Sequence, residues 1–240
     1  MNIYEIKTMG ERIAGNPYVG RGIVIGKTED GRRAATAYFI MGRSENSRNR
    51  VFTLKDGAVY TEPYDVSKVE DPSLIIYAAL RKIGNKLIVT NGDQTDTIYD
   101  YIADSKTFPE ALRSREFEPD APNFTPRISG MLTFDNKDFT YQMSILKSID
   151  EKGSDTARYT FEYPTVNGLG HFIHTYITDG SPIPTFCGEP ERVKIPDSIE
   201  DFANDIWNNL DESNKISLYV RYTNLCDGTI EEKLINKFSK

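Results

Sequence analysis

Two Asp-Gly pairs, each set between runs of β-branched and aromatic residues, constrain the fold of this chain more than any other feature. Residues 19–27 and 34–41 flank Asp30-Gly31, and residues 51–54 and 58–60 flank Asp56-Gly57. Asp-Gly supplies the positive φ angles of a tight hairpin turn, so the first third is predicted to be antiparallel sheet. Residues 130–134 and 139–149 surround the turn Asp135-Asn136-Lys137-Asp138, 157–163 reads as a further strand, and Ile216, Leu218, Val220 and Tyr222 alternate as another. A content of 14 Tyr and 12 Phe against one Trp suits strands.

Helical spacing interrupts this pattern. Asp71-Pro72 is predicted to open a helix running to about Lys82, with Leu74, Ile75, Ala78 and Ala79 on its apolar face. Residues 86–90 form a short strand ending in Asn91-Gly92, followed by a helix carrying Ile98, Tyr101 and Ile102. Ile199, Phe202, Ile206, Trp207 and Leu210 recur at helical spacing behind an Asp197/Ser198 cap. Thr229 with Glu232 reads as the capping box of a last helix bearing Ile230, Leu234, Ile235 and Phe238. The prediction is an α+β protein with layers of antiparallel sheet and helix. No repeat, low-complexity tract or Pro/Ser-rich linker marks a boundary, so residues 1–240 are taken as one domain.

Twenty-nine Lys and Arg against 36 Asp and Glu give a net charge of −7, which argues against a nucleic-acid or anionic-membrane binder. The longest strongly apolar stretch, 74–80, is far short of the ~20 residues that cross a bilayer. Two cysteines make no disulfide framework and the N-terminal residues lack a signal-peptide pattern, so the expected location is the cytoplasm. The oligomeric state is open, a homo-oligomer included.

Several segments suggest chemistry. Gly26-Lys27-Thr28 is not a phosphate loop, because Arg21 stands where the first glycine is required and a hairpin follows instead of a helix. His171 and His174 fall on opposite faces of a predicted strand, and neither Cys187 nor Cys226 belongs to a Cys-x-x-Cys pair, so no metal site is expected. Arg43, Arg48 and Arg50 lie within eight residues of an acidic chain and suit a bidentate grip on a small phosphate; a solvated loop with scattered charge is the alternative. Residues 91–96 offer amides and polar groups between a strand and a helix, for a neutral ring or for simple capping. Residues 118–128 place Glu118, Asp120, Asn123, Thr125 and Arg127 among three prolines, either a stiff catalytic platform or an ordered crossover.

In chain order these segments are Asn16-Pro17-Tyr18-Val19-Gly20-Arg21, Tyr38 with Arg43-Ser44 and Arg48, Asp71-Pro72 with Tyr77, Thr90-Asn91-Gly92 with Thr95-Asp96, and Glu118-x-Asp120 with Thr125-Pro126-Arg127-Ile128. In that order they resemble the archaeal-type inosine monophosphate (IMP) cyclohydrolase family, over about residues 16–130, with a weaker likeness from Met131 onward. The segment 168–190 looks like a feature of bacterial relatives. The resemblance implies a four-layer αββα sandwich like that of N-terminal-nucleophile hydrolases, without a terminal nucleophile, since Asn2 follows Met1. It implies ring closure of 5-formamidoimidazole-4-carboxamide ribonucleotide to IMP and water, with a purine ribonucleotide as ligand and no cofactor or metal. It further implies Glu118 as general acid/base with Asp120 second, and Arg127 and Tyr77 orienting the carboxamide and formyl oxygens. Arg43, Arg48, Arg21 and Arg50 would take the 5′-phosphate; Asn91 and Gly92 the imidazole or its carboxamide; and Tyr38, Ser44, Asn123 and Thr125 would line the substrate. The other readings are a non-catalytic purine-ribonucleotide binder and an amidohydrolase acting on another small amide.

Overall fold

Both Asp-Gly turns close hairpins in the computed structural model, which describes residues 2, 4–69 and 76–238. β1 (Arg21–Lys27) pairs antiparallel with β2 (Arg33–Met41), and β3 (Val51–Lys55) with β4 (Ala58–Glu62). At the second turn Asp56 (φ 51°) and Gly57 (φ 75°) are both left-handed, the geometry of a two-residue hairpin. The first has a five-residue loop in which only Gly31 has positive φ.

The remaining strands are β5 (Tyr77–Ile83), β6 (Lys86–Thr90), β7 (Arg127–Asp135), β8 (Asp138–Ser148), β9 (Thr156–Pro164), β10 (Leu169–His174), β11 (Glu191–Lys194), β12 (Lys215–Asn224) and β13 (Ile230–Asn236). They form two antiparallel sheets, β11-β10-β1-β2-β12-β13 and β3-β4-β5-β6-β7-β8-β9. A core including Ile23, Tyr38, Phe52, Leu87, Ile128 and Ile173 lies between them. Asn236 joins the two sheets: its side chain donates to the Phe52 carbonyl (3.0 Å) and accepts from the Phe52 amide (2.9 Å).

Few helices accompany the sheets. α1 (Met9–Ile13) and α5 (Ile199–Asn209) pack through Met9, Ile13, Phe202 and Ile206 onto residues of the six-stranded sheet such as Val24 and Leu218. α3 (Gln94–Ala103) and α4 (Phe108–Arg113) cover Ile88, Met131 and Leu146 of the seven-stranded sheet, and α2 (Glu45–Arg48) is a single capped turn. Ser198 caps α5 as expected, accepting from the Asp201 amide at 3.1 Å. No helix among the described residues is long and apolar enough to cross a membrane.

Two expected helices are corrected. Residues 77–82 are strand β5, while 71–75, the predicted start of that helix, lie outside the described residues. A strand held between two neighbours and buried on both faces shows a continuous apolar run, and Tyr77 to Leu80 is such a run, which periodicity alone cannot tell from a helix. The last expected helix is β13. Thr229 does not cap; its amide and hydroxyl donate to Asp227 (2.9 and 2.7 Å) in a turn containing Gly228 (φ 74°), and Glu232 accepts from Tyr219 of the paired strand. Without β13 the long strand β12 would be an unpaired edge. α4 was not anticipated, although Thr107-Phe108-Pro109-Glu110 is a capping box with Pro near the helix start.

Candidate active site

The strand starts gather charge at one rim of the inter-sheet core. Arg21, Tyr77 and Arg127 are the first residues of β1, β5 and β7, and Arg50 immediately precedes β3. All four are buried, Arg21 to 7 %, Arg50 to 6 % and Arg127 to 9 % exposure. The Tyr77 hydroxyl meets that of Tyr38 at 2.9 Å. Among the described residues no carboxylate lies within 4.0 Å of the Arg21 or Arg50 guanidinium, and the Nε of each is buried without a hydrogen-bond partner. Two buried cations held this way are expensive unless an anion completes them.

Glu118 faces these cations. Burial pushes its carboxyl above the usual range, against the pull of Arg21, Arg127 and Arg50 and with help from Asp120. Burial disfavours the Arg21 charge, but Tyr18, Glu118, Tyr176 and Tyr77 more than offset this and hold its guanidinium above its ordinary value. Burial and the like charge of Arg21 push Arg50 down. Burial, then Tyr77, holds Tyr38 well above the ordinary tyrosine range, so Tyr38 remains a neutral hydroxyl.

The loop carrying Glu118 is tied internally. Glu118 donates its amide to the Thr125 carbonyl (2.9 Å). Asp120 accepts from the Thr125 amide (2.6 Å) and hydroxyl (2.5 Å), and that hydroxyl also meets Tyr176 at 2.5 Å. Asp120 is therefore occupied in holding the loop, whereas Glu118 makes no side-chain hydrogen bond among the described residues. Arg127 is aimed by Asp93 (2.7 Å) and Gln94 (2.8 Å), which lie in the 91–96 segment that the sequence marks for a neutral ring or for capping, not for an arginine contact.

The Asn91 side chain is engaged within the protein. It donates to the Pro126 carbonyl (2.9 Å) and accepts from Gln94 (2.9 Å) and the Ile128 amide (2.9 Å), fixing β6 to β7. Gly92 is required for space: a Cβ there would lie 2.6 Å from Arg127 Nη1 and 2.6 Å from Gln94 Oε1. Gly92→Ala is therefore expected to leave a folded protein with turnover reduced about tenfold, because displacing an aligned group by ~1 Å costs up to two orders of magnitude. Steady-state rates beside melting curves check this.

A family model described as IMP cyclohydrolase-like protein matches residues 18–228. The chain belongs to this family. It is 29 % identical over 163 residues to IMP cyclohydrolase of Methanococcus aeolicus, covering 66 % of this chain and 74 % of the relative. It is 36 % identical over 116 residues to that of Methanopyrus kandleri and 35 % over 124 residues to that of Methanococcus maripaludis. These two matches span 57 % and 60 % of the relatives' own length.

The arginines that cluster in sequence between 43 and 50 do not converge. Arg43 pairs with Asp179, donates to the Gly180 carbonyl (2.8 Å) and lies over the Tyr18 ring at 5.2 Å. Tyr18 stacks on Tyr176, so Arg43 reaches only the border of the cluster. Arg48 donates to the Gly42 carbonyl and to Asn214 (both 3.1 Å), and Ser44 caps α2. Asn123 accepts from the Ile183 amide (3.2 Å) and lines a different cavity, with Lys147 and Tyr159. Tyr18 belongs to the family-like segment 16–21, but its contact with Tyr176, more than 150 residues away, has no local signal.

The histidines lie on opposite faces of β10. His171 meets the Tyr141 hydroxyl at 2.6 Å and stacks on Tyr163, while His174 meets the Tyr176 carbonyl at 2.7 Å and stacks on Phe172. Burial, then Arg192, pushes His171 down to about 4. The unfolded chain therefore binds this proton first, and stability falls as pH drops from ~6.5 towards 4, by about 3 kcal/mol when complete. Melting temperatures across that window should show the loss in the native protein and a flatter profile in His171→Phe.

Proposed function

We propose that this protein is an IMP cyclohydrolase that closes the purine ring of 5-formamidoimidazole-4-carboxamide ribonucleotide, releasing water. The observation that carries the reading is a Glu118 carboxyl that makes no side-chain hydrogen bond among the described residues and faces the buried Arg21 and Arg50, which have no carboxylate within 4.0 Å among those residues. The only permanently ionised group of that substrate is its 5′-phosphate, and the buried guanidinium groups of Arg21 and Arg50 beside Glu118 suit it.

Ring closure joins the carboxamide nitrogen to the formyl carbon. Glu118 accepts a proton from that nitrogen as the C–N bond forms and delivers it to the formyl oxygen; the formamido nitrogen then gives up its own proton as the C=N bond forms, and the oxygen, now carrying both protons, leaves as water. A carboxyl raised by burial suits both halves of this exchange. Arg127, steadied by Asp93 and Gln94, stabilises charge on the substrate oxygens, and the Tyr38–Tyr77 hydroxyl pair orients the same groups. Asp120 and Thr125 hold the Glu118 loop, Asn91 and Gly92 hold Arg127 in place, and Arg43, Arg48, Ser44 and Asn123 support the surrounding loops.

The same reading makes residues 1–240 one domain, a four-layer αββα sandwich of the N-terminal-nucleophile hydrolase type without its nucleophile, acting in the cytoplasm on a free ribonucleotide. Support for the layering is that α1 and α5 pack on one sheet and α3 and α4 on the other. The test is to incubate purified protein with the formamido ribonucleotide, follow IMP by absorbance, and record nucleotide-induced thermal stabilisation. Turnover is expected. Stabilisation without turnover would leave a binding protein, and neither would sink the nucleotide reading.

A further inference from the structure

We propose that an arginine-lined cavity on the outer side of Arg127 is a second phosphate-binding site, which acts on Arg127 through Asp93. The cavity, about 280 Å³, is bordered by Arg113, Arg115, Arg127 and Arg158, with Glu116 at its edge. At about 30 Å³ per water it has room for a phosphate with part of its hydration shell.

The cavity's charge is unbalanced. Arg158 donates to the carbonyls of Thr156 (3.0 Å) and Arg115 (2.9 Å), which fix its guanidinium without neutralising it. Among the described residues neither Arg113 nor Arg158 has a carboxylate within 4.0 Å. Arg115 and Arg127 share one oxygen, Asp93 Oδ1, at 2.5 and 2.7 Å. Four guanidinium groups against Asp93 and Glu116 leave two positive charges in a protein of net charge −7, which matches a phosphate dianion.

Asp93 makes the site consequential. A phosphate that takes the donors of Arg115 releases half of the shared contact, and Asp93 then pairs with Arg127 alone. Arg127 is drawn towards Asp93 and away from the Glu118 side, so phosphate in this cavity slows turnover without competing for substrate. The effect on rate rests on the function proposed above; the binding does not.

The test is calorimetric titration of the whole chain with inorganic phosphate, comparing wild type, Arg113→Gln/Arg158→Gln and Arg50→Met. Wild type should bind two phosphates, the double variant should lose at least tenfold in affinity for one, and Arg50→Met should keep that one. The double variant should turn over at the wild-type rate without phosphate and lose the non-competitive part of phosphate inhibition. Arg113→Gln alone, at an exposed side chain, should show the same trend if the double variant folds poorly. Unchanged stoichiometry and affinity in these variants overturn the proposal, as does relief of a purely competitive inhibition, which would put the substrate's own phosphate in the cavity. Absence of turnover in wild type would overturn the cyclohydrolase reading and leave the titration to decide the cavity.

Discussion

Glu118→Gln is expected to yield a folded protein whose ring-closure rate at saturating substrate is lower by about 10²–10⁴-fold, the usual contribution of a positioned acid/base group. Nucleotide affinity should change little, because the amide keeps the shape of the carboxyl and Arg21 and Arg50 remain. The stability change runs the opposite way to the rate. Burial raises the Glu118 carboxyl in the folded state, so the native protein holds this proton more tightly than the unfolded chain. Stability is then lost as pH rises from the unfolded value of ~4.3 through the folded one, and at neutral pH the ionised group is a burden. Glutamine removes that burden, and the variant should melt at or above the wild-type temperature at pH 7. The wild-type rate should rise with pH through an inflection above 4.3 that the variant lacks. A variant that folds and keeps its rate would remove Glu118 from the mechanism.

The distribution of the site along the chain explains which parts of it were legible. Hairpin turns are local: Asp56-Gly57 and Asn136-Lys137 place both turn residues at positive φ, and the strands beside them follow the β-branched runs. The Asp-Gly signal extends to Asp227-Gly228, where the capping pattern points to a helix but the chain turns between β12 and β13 through a five-residue loop in which only Gly228 has positive φ. Strand β5 resembles a helix in sequence because burial on both faces erases the alternation on which periodicity depends. In the site, the Arg43 to Arg50 cluster was visible because its members are neighbours in sequence, yet only Arg50 enters the rim beside Arg21. Arg21, Arg50 and Arg127 belong to three different strand starts, and the topology of two sheets brings them together. Glu118 and Arg127 stand out as candidates through a short loop and a family likeness; Asp93 and Gln94, which aim Arg127, are polar residues at a helix start and give no separate signal of that contact.

Arg50→Met should separate binding from folding most sharply. Arg50 is buried, its Nε lacks a partner, and the nearby Arg21 charge opposes its own. A residue whose main contribution were to stability would be paired, as Arg33 is with Asp30 and Glu231. Methionine fills similar space without charge, which removes both the desolvation cost and the repulsion from Arg21. The expected result is a melting temperature equal to or higher than wild type in the absence of ligand, with nucleotide affinity weakened about 30- to 1000-fold, or ~2–4 kcal/mol. Titration with IMP beside unliganded melting curves measures both. The thermal stabilisation that nucleotide confers on wild type should largely disappear, because it reports the affinity that Arg50 supplies. A variant that melts several degrees lower and binds nucleotide normally would make Arg50 a structural residue and remove it from the anion site. The opposite pattern, stability gained where affinity is lost, is expected when two like charges are buried together to hold a phosphate.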